Sequence, residues 1–302
     1  SICALSDLNG QLTPDRLQNI SQLLPTIPEC KKLPDAKDSQ HPAEVFCNLA
    51  NKYFPDLPKR LTCFITCLTF QDSCLLLTGK MKKVIDACNE IISSDNLARV
   101  LQKMLTVGNI MNEGTYRGQA AGFSLDSLLK MVHTKGVDKK TSVLDYVVKS
   151  LLDRGETSTL RVAEDLSFDD ETCRISGKDT VREIDQLQNS ITTVEEIYKN
   201  SQNSISLSLE LIQECNPLFF ERIRRFLDAA QIKMNEIIKM KDLMNRKIIT
   251  VVEYFGEDEK TCETTKIFSV LKEFKVAFES SRTTLVARME RSKSRQMRSS
   301  DR

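Results

Sequence analysis

The chain has 302 residues, which is enough for one large domain or two of medium size. Its 43 Lys and Arg residues nearly balance its 42 Asp and Glu residues, and this excludes a nucleic-acid-binding protein held by bulk charge. Only ten Gly, eight Pro and no Trp, with abundant Leu, Ile, Lys and Glu, predict an all-α protein.

Helical patterns follow one another through the first third of the chain. Thr13-Pro14-Asp15 has the N-cap, the proline and the acidic first turn of a helix start, and Pro42 opens a second helix. The apolar spacing predicts two further helices, Lys59 to Phe70 and Lys80 to Ile92. Another helix begins at Ser94 and runs to Gly108.

The stretch from Gly108 to Lys135 is the least helical part of this pattern. It holds four of the ten glycines, and two asparagines accompany them: Gly108, Gly114, Gly118, Gly122, Asn109 and Asn112. Such a cluster indicates backbone that bends or approaches another group closely. We interpret the glycines as the floor of a groove and the asparagines as partners for turn backbone; tight turns and helix crossings alone are the alternative.

Two helices and an acidic segment are predicted next. Apolar spacing predicts one helix over 123–132 and another from Thr141 that ends at Gly155. Six acidic residues between 156 and 171 face few basic ones, so we expect a solvated, partly ordered connection there.

The remaining pattern is dominated by long helices. From Thr180 to Ile248 apolar residues recur at three- and four-residue steps, with a break near Asn216-Pro217. This predicts a pair of long antiparallel helices or a short coiled coil. A break over 254–258 precedes a last helix from about Thr261, and the tail after Leu285 is basic.

Several chemical functions are not expected. The glycines have neither the spacing of a GxGxxG loop nor a following Gly-Lys-Ser/Thr, so a nucleotide site is not predicted. Cys63 and Cys67 could share a helix face with Cys74 nearby, but no further ligand has metal-site spacing. His41 and His133 are the only histidines and lie far apart. We therefore expect no metal, no cofactor and no enzymatic activity.

The cellular setting is predicted from the cysteines and the apolar runs. The ten cysteines fall mostly on apolar helix faces, where a free thiol acts as a small hydrophobe, so we expect a reducing, cytoplasmic location. Residues 1–10 lack a signal peptide, and runs such as 75–77 are too short for a membrane span. Membrane association is not expected, and the initial Ser1 suggests a piece of a longer protein.

The motifs around the glycine cluster closely resemble the signature of the formin homology-two domain. Residues 108–114 read GNIMNEG and residues 117–123 read RGQAAGF, followed by Leu125, Leu128 and Lys135. Further similarity lies in 12–25, 43–46, 58–61, 141–146 and 254–257, and in Phe268, Phe274 and Phe278. The resemblance thus covers nearly the whole chain.

The resemblance implies an elongated all-α domain with a knob bundle, a long antiparallel coiled-coil segment and a post. On this basis the chain is one formin homology-two core in four parts. The parts are 1–105 (knob and adjoining helices), 106–160 (glycine-rich post region), 161–253 (acidic connection and coiled-coil helices) and 254–302 (C-terminal helix and basic tail).

The resemblance also implies the function and the partners. The family nucleates actin filaments and stays on the barbed end as a dimer in which an N-terminal lasso of each subunit wraps the other's post. By position, Lys135 and Leu17 would contact actin. The surface that receives the lasso would comprise Gly108, Asn109, Asn112, Gly114, Arg117, Gly118, Gly122 and Phe123. An upstream segment outside this chain would bring profilin-actin, in the cytoplasm at the actin cytoskeleton.

The chain begins at the knob, so the lasso and linker that the resemblance implies are not in it. We therefore expect weakened activity, and a monomer or weak dimer. A helical scaffold that self-associates through its coiled coil without actin activity is the alternative. A third hypothesis is that the basic tail binds microtubules or an acidic membrane.

Overall fold

The structure, a computed structural model, describes residues 13–25, 29, 41–53, 56–116, 118–122, 124–136, 141–202 and 210–300. Ten α-helices lie in these ranges: α1 Pro14–Leu23, α2 Pro42–Tyr53, α3 Leu57–Ser93, α4 Asp95–Met111, α5 Leu125–His133, α6 Val143–Asp153, α7 Val162–Asp165, α8 Gly177–Gln202, α9 Glu210–Tyr254 and α10 Thr264–Ser300. The only β-pairing in the described ranges is one isolated bridge between Lys135 and Ser142. The all-α prediction is confirmed.

Helix α3 is a single element of 37 residues, so the prediction of two helices separated around residues 71–79 was wrong. Cys74 and Leu77 are buried at helical spacing between Phe70 and Met81, and they continue the packed face across the interval. Gly79 lies inside the helix, where a glycine costs only about 1 kcal/mol relative to alanine. Packing of the buried face offsets that cost.

Helix α9 passes through Pro217, so the predicted break at Asn216-Pro217 was also wrong. A proline inside a helix removes one backbone hydrogen bond and crowds the preceding turn. Phe219 and Ile223 follow directly and are fully buried, and this tertiary packing favours continued helix.

The chain divides into two compact units. The first contains residues 1–78 and 182–239, and the second contains residues 79–181 and 240–302. The boundaries fall inside α3, α8 and α9, which therefore contribute residues to both units.

The core of the first unit joins α1, α3, α8 and α9. It is a cluster of buried side chains that includes Leu17, Leu61, Phe64, Val194, Phe219 and Ile223. The guanidinium of Arg60 lies 4.4 Å from the ring centroid of Phe219, a cation–π contact at the edge of this core.

The core of the second unit is built on α10, which packs against α5 and α6. Phe268, Leu271, Phe274 and Phe278 recur at three- and four-residue steps and are buried, as the apolar pattern predicts. Helix α4 packs against α6 on another side of the same unit.

The acidic segment is ordered, contrary to the expectation of a solvated, partly ordered connection. It contains α7 and two 3-10 turns, Thr159–Arg161 and Thr172–Arg174, and it buries Leu166 and Phe168. Residues 166–171, which we call the acidic strap, are tied to α3 and α10. Lys275 donates to the Leu166 carbonyl at 2.5 Å, and Lys272 pairs with Asp170. Lysines of α10, which are about 100 residues away in the chain, therefore help to order this segment by pairing with its acidic and carbonyl groups.

One helix in the described ranges, α3, is long and apolar enough by length and composition to cross a membrane. An 18-residue window has a mean hydropathy of 1.4, so the expectation that every apolar run is too short was wrong. Part of the window, 39%, is buried inside the protein. Leu61, Phe64 and Met81 are among the buried side chains of α3, and the core helix of a protein meets the same two criteria.

Candidate partner-binding groove

The backbone turns sharply where α4 ends. The Asn112 N–H donates to the Gly108 carbonyl at 3.1 Å and closes the last turn, and the Asn112 carbonyl accepts from Thr115 N at 3.0 Å and Thr115 Oγ1 at 2.7 Å. Gly114 has φ +76°, a conformation that glycine adopts without strain. A Cβ on Gly118 would lie 2.8 Å from the Asn112 carbonyl oxygen, so a side chain there would collide with backbone.

Asn109 fastens the loop that follows this turn. Its Nδ2 donates to the Ala120 carbonyl at 2.9 Å, and its Oδ1 accepts from the Ala120 N–H at 2.9 Å. Both backbone groups of one loop residue are therefore held by one side chain on α4. Both asparagines make hydrogen bonds with the backbone of the turn and loop, Asn109 through its side chain and Asn112 through its main chain.

The start of α5 is capped from two directions. Ser124 Oγ accepts from the Ser127 N–H at 3.3 Å, which is an ordinary N-cap. Glu257 Oε1 accepts from the Leu125 N–H at 2.9 Å, and the Glu257 side chain is only 15% exposed. Lys266 lies 3.9 Å from the Glu257 carboxylate and pairs with Asp126 at 3.1 Å, and the Asp126 hydrogen bond raises the pKa of Lys266.

A groove of about 520 Å³ lies between the end of α4, the glycine-rich loop and α5. Four of the predicted residues line it: Gly108, Asn109, Asn112 and Gly122. Added to them are residues that the sequence pattern did not single out: Leu105, Met111, Ala120, Ser124, Ser127, Lys130, Met131, Thr134 and Val143. The wall is therefore partly apolar, with amide, hydroxyl and ammonium groups among the lining side chains.

Large apolar side chains are exposed at the end of α4. Ile110 is 65% exposed and Met111 is 55% exposed, and Met111 also lines the groove. Tyr116, in the loop, is 88% exposed. Exposed apolar groups beside a groove are typical of a surface that binds a protein segment.

The predicted residues divide between this groove and other places. Gly114 and Gly118 shape the loop without lining the groove, and Lys135 is exposed beyond α5 in the bridge to Ser142. Arg117 and Phe123 lie outside the described residues.

Leu17 lies apart from this site, in the first unit, and it has no exposed surface. Leu17, Ile20 and Leu24 recur at the helical step and all pack toward the core of that unit. The large apolar side chain that α1 exposes to solvent is Leu23, which is 79% exposed. The exposure that a direct contact by Leu17 requires is therefore absent in this structure.

A family model for the Formin Homology 2 Domain matches residues 2–279. The chain belongs to this family. It is 28% identical over 277 residues to formin-like protein 3 of rice, covering 90% of this chain and 21% of that protein. It is 27% identical over 269 residues to human formin-like protein 1, covering 87% and 23%, and 23% identical over 282 residues to formin-E of Dictyostelium discoideum, covering 91% and 17%. The chain thus spans about a fifth of the length of these curated relatives.

Two segments that resemble motifs of the formin homology-two domain lie close together here. Gly108, Asn109, Asn112 and Gly122 of the first segment line the groove. Glu257 of the Tyr254-Phe255-Gly256-Glu257 segment supplies the carboxylate that caps α5 beside it. The sequence pattern places Glu257 in a segment that resembles a family motif, but it does not predict the contact with Leu125. The local signals are limited to a helix start at Ser124-Leu125 and an acidic residue after a break, and neither indicates that the two meet.

A second groove, of about 720 Å³, lies between α6 and α10 of the same unit. Tyr146, Lys149, Arg288 and Met289 are among its lining residues. Asp145 also lines it: its carboxylate accepts from Ser281 Oγ at 2.6 Å and from the Ser142 N–H at 2.8 Å. Burial raises the Asp145 pKa, but these hydrogen bonds outweigh burial and hold that pKa below its usual value.

Proposed function

We propose that this chain is the core of an actin assembly factor that nucleates filaments and associates with the barbed end as a lasso-linked dimer, in the cytoplasm. Membership of the formin homology-two family supports the proposal. The observation that carries it is the groove lined by Gly108, Asn109, Asn112 and Gly122, beside which Glu257 caps α5. In this proposal the second unit is the post and the first unit contributes the knob and the coiled-coil helices.

The groove is the proposed seat of a lasso segment from a second formin subunit. Its partly apolar wall and the exposed Ile110 and Met111 suit an aromatic anchor, and the Asn109 bonds hold the loop in place before binding. A peptide spanning the lasso of a relative such as human formin-like protein 1 is the direct probe. We expect saturable binding to the wild-type chain.

A side chain that fills the groove should block this peptide. Gly122 lines the groove and has open space around it, so Gly122→Leu adds volume without a backbone collision. Gly79→Leu is the matched control, because Gly79 also has open space around it but lies on α3, outside the groove. Equal peptide binding by Gly122→Leu and wild type would contradict the groove as the lasso seat.

Lys135 is the proposed actin contact of the second unit. It is exposed beyond the C-terminus of α5, and its backbone is held by the bridge to Ser142. A lysine whose backbone is held at the surface in this way can pair its ammonium group with a carboxylate on actin. For the first unit we propose that Leu23 is the apolar contact and that Leu17 positions α1 from within the core.

Actin assembly tests the whole proposal. A chain extended N-terminally to include a lasso should accelerate assembly from monomers and alter barbed-end elongation. Lys135→Ala should reduce both effects, whereas Lys82→Ala, at another exposed lysine of the second unit, should leave them unchanged. If the extended wild-type chain affects neither rate, the proposal is wrong.

The scaffold alternative is less well supported by the structure. Self-association through a coiled coil needs a free apolar stripe on α8 or α9. Ile184, Ile191 and Val194 of α8 are buried, as are Phe219 and Ile223 of α9. These side chains already serve the protein's own core. Leu218, Ile232 and Leu243 of α9 are exposed, but they are 14 and 11 residues apart and do not have the three- and four-residue spacing of a coiled-coil seam.

A further inference from the structure

The hydroxyl of Ser167, the second residue of the acidic strap, is held by a carboxylate of α3. Ser167 Oγ donates to Glu90 Oε1 at 2.5 Å, and the Ser167 N–H donates to Glu90 Oε2 at 2.7 Å. The Phe168 N–H donates to the same Oε2 at 3.2 Å. One carboxylate on α3 therefore holds three groups of the strap, and Ser167 itself is exposed.

The residues that follow Ser167 are acidic at the second, third and fourth positions: Asp169, Asp170 and Glu171. All three are exposed. A kinase with a basic substrate cleft is complementary to carboxylates placed just after the acceptor hydroxyl. The segment 166–169 is not helical, so the backbone can extend into such a cleft once it opens.

We propose that Ser167 is a phosphorylation site for an acid-directed protein kinase, and that the phosphate releases the acidic strap from Glu90. The kinase transfers the γ-phosphoryl group of ATP: a P–Oγ bond forms on Ser167, the bond between the γ-phosphorus and the β,γ-bridging oxygen breaks, and ADP leaves. The hydroxyl proton goes to the base of the kinase.

Other hydroxyl groups nearby do not share this combination. Thr172 is buried, with 3% exposure, and its Oγ1 donates to Asp169 at 2.7 Å. Ser158 is exposed but is followed by Thr159, Leu160 and Arg161 without an acid. Thr192 and Thr193 precede Glu195 and Glu196 at suitable spacing, but they lie inside α8 and bond to the carbonyls one turn back.

Phosphorylation would turn the attraction between Ser167 and the Glu90 carboxylate into repulsion. The hydroxyl donor becomes a group carrying about −1.5 to −2 charges at neutral pH, placed against a carboxylate. The surrounding cations are already engaged: Lys83 with Asp169 and Glu171, Lys272 with Asp170, and Lys275 with the Leu166 carbonyl. Like-charge repulsion therefore replaces a hydrogen bond, and the strap cannot close again on Glu90.

The strap must open before the kinase can reach Ser167, because Leu166 and Phe168 on either side are buried. Phosphorylation would thus trap the open state. The consequence is a looser connection between α3 and α10, which the strap joins through Glu90, Lys83, Lys272 and Lys275.

The test is incubation of the full chain with ATP and an acid-directed kinase, followed by peptide mapping and amide hydrogen exchange. We expect phosphate on Ser167 ahead of Thr192 and Thr193, and none on residues 166–171 in Ser167→Ala. In the phosphorylated protein the Ser167 and Phe168 amides should exchange about tenfold faster or more, and phosphatase should reverse this.

Glu90→Gln separates repulsion from simple bulk, because glutamine keeps an acceptor oxygen without the charge. Phosphorylation of this variant should accelerate exchange less than in the wild type. The proposal is overturned if Ser167 is not labelled, if Thr192 or Thr193 is labelled faster, or if labelled Ser167 leaves exchange unchanged. Mapping on the wild-type chain decides the first two outcomes without any variant.

Discussion

The Glu257 carboxylate accepts a hydrogen bond from the Leu125 N–H at 2.9 Å, although 132 residues separate them in the chain. Leu125 is the first residue of α5, whose side chains Ser127, Lys130 and Met131 line the groove. Glu257 follows Gly256, whose φ of +61° turns the chain after α9. The end of α9 thus fixes the start of the helix that forms one wall of the groove.

Replacement of Glu257 tests this support. Glu257→Ala leaves the Leu125 N–H without its acceptor and should reduce the free energy of unfolding by about 1–2 kcal/mol. Glu257→Gln keeps an acceptor oxygen and should lose less than half of that. Urea unfolding measures both, and lasso-peptide affinity should follow the same order. Equal stability of the alanine variant and wild type would contradict a capping role.

Asn109 holds the glycine-rich loop through both the nitrogen and the oxygen of its side-chain amide. Asn109→Asp keeps an acceptor for the Ala120 N–H but places a carboxylate against the Ala120 carbonyl. We expect it to weaken lasso-peptide binding more than Asn109→Ser, which places no charge there, with a loss of about 1–3 kcal/mol in stability. Hydrogen exchange at the Ala120 amide measures directly how firmly the loop is held. Exchange in Asn109→Asp as slow as in the wild type would contradict a role of Asn109 in holding the loop.

Two glycines of the cluster should respond differently to alanine. Gly118→Ala places a Cβ 2.8 Å from the Asn112 carbonyl oxygen and should cost about 1–3 kcal/mol of stability through backbone strain. Gly122→Ala meets no atom within 4 Å and has no positive φ, so it should be neutral or slightly stabilising. Thermal unfolding compares them, and similar losses would show that the close approach at Gly118 does not matter.

Acid should remove the contribution of Asp145 to stability. Its pKa is lower in the folded protein than the value of about 3.9 in an unfolded chain, so the unfolded state binds the proton first on acidification. The contribution is therefore present above about pH 4 and is lost as the pH falls through the folded pKa. Asp145→Asn should lower stability at pH 7 and flatten its pH dependence below pH 4. Urea midpoints at pH 7 and pH 3 measure this, and parallel curves for the two proteins would contradict it.

The buried thiols should be unreactive in the folded protein. Burial raises the pKa of Cys63 and of Cys88 to about 12, so few thiolates exist at pH 8. Iodoacetamide at pH 8 should label both residues in urea but not in native buffer. Fast native labelling at either position would show that α3 opens locally.

The prediction that cysteines lie on apolar faces is confirmed for five of the seven whose side chains the structure describes, since these five are buried: Cys63, Cys74, Cys88, Cys173 and Cys262. Their spacing on helical apolar faces was sufficient evidence, because a free thiol packs as a small hydrophobe. The helix starts at Thr13-Pro14 and Ser94-Asp95 were also predictable, since the capping side chain lies three residues from the amide it accepts from.

The continuation of α3 through Gly79 and of α9 through Pro217 was not predictable from local signals. Glycine and proline lower intrinsic helix propensity. Leu77 and Met81 are nevertheless buried on either side of Gly79, and Phe219 and Ile223 are buried after Pro217. Burial of these side chains stabilises the continuous helix by more than the local residue destabilises it. The acidic strap was misjudged for a similar reason, because Lys83, Lys272 and Lys275 come from helices far away in the chain.

The sequence by itself determined the all-α class, most helix starts, the bend after Gly108 and the membership of the formin homology-two family. These depend on local capping, on apolar periodicity and on a motif of adjacent residues. Only the tertiary structure decided that Leu17 is a core residue while Leu23 is exposed, and that Glu257 supports the groove. Those properties depend on which distant elements pack together, and no local pattern in the chain specifies that.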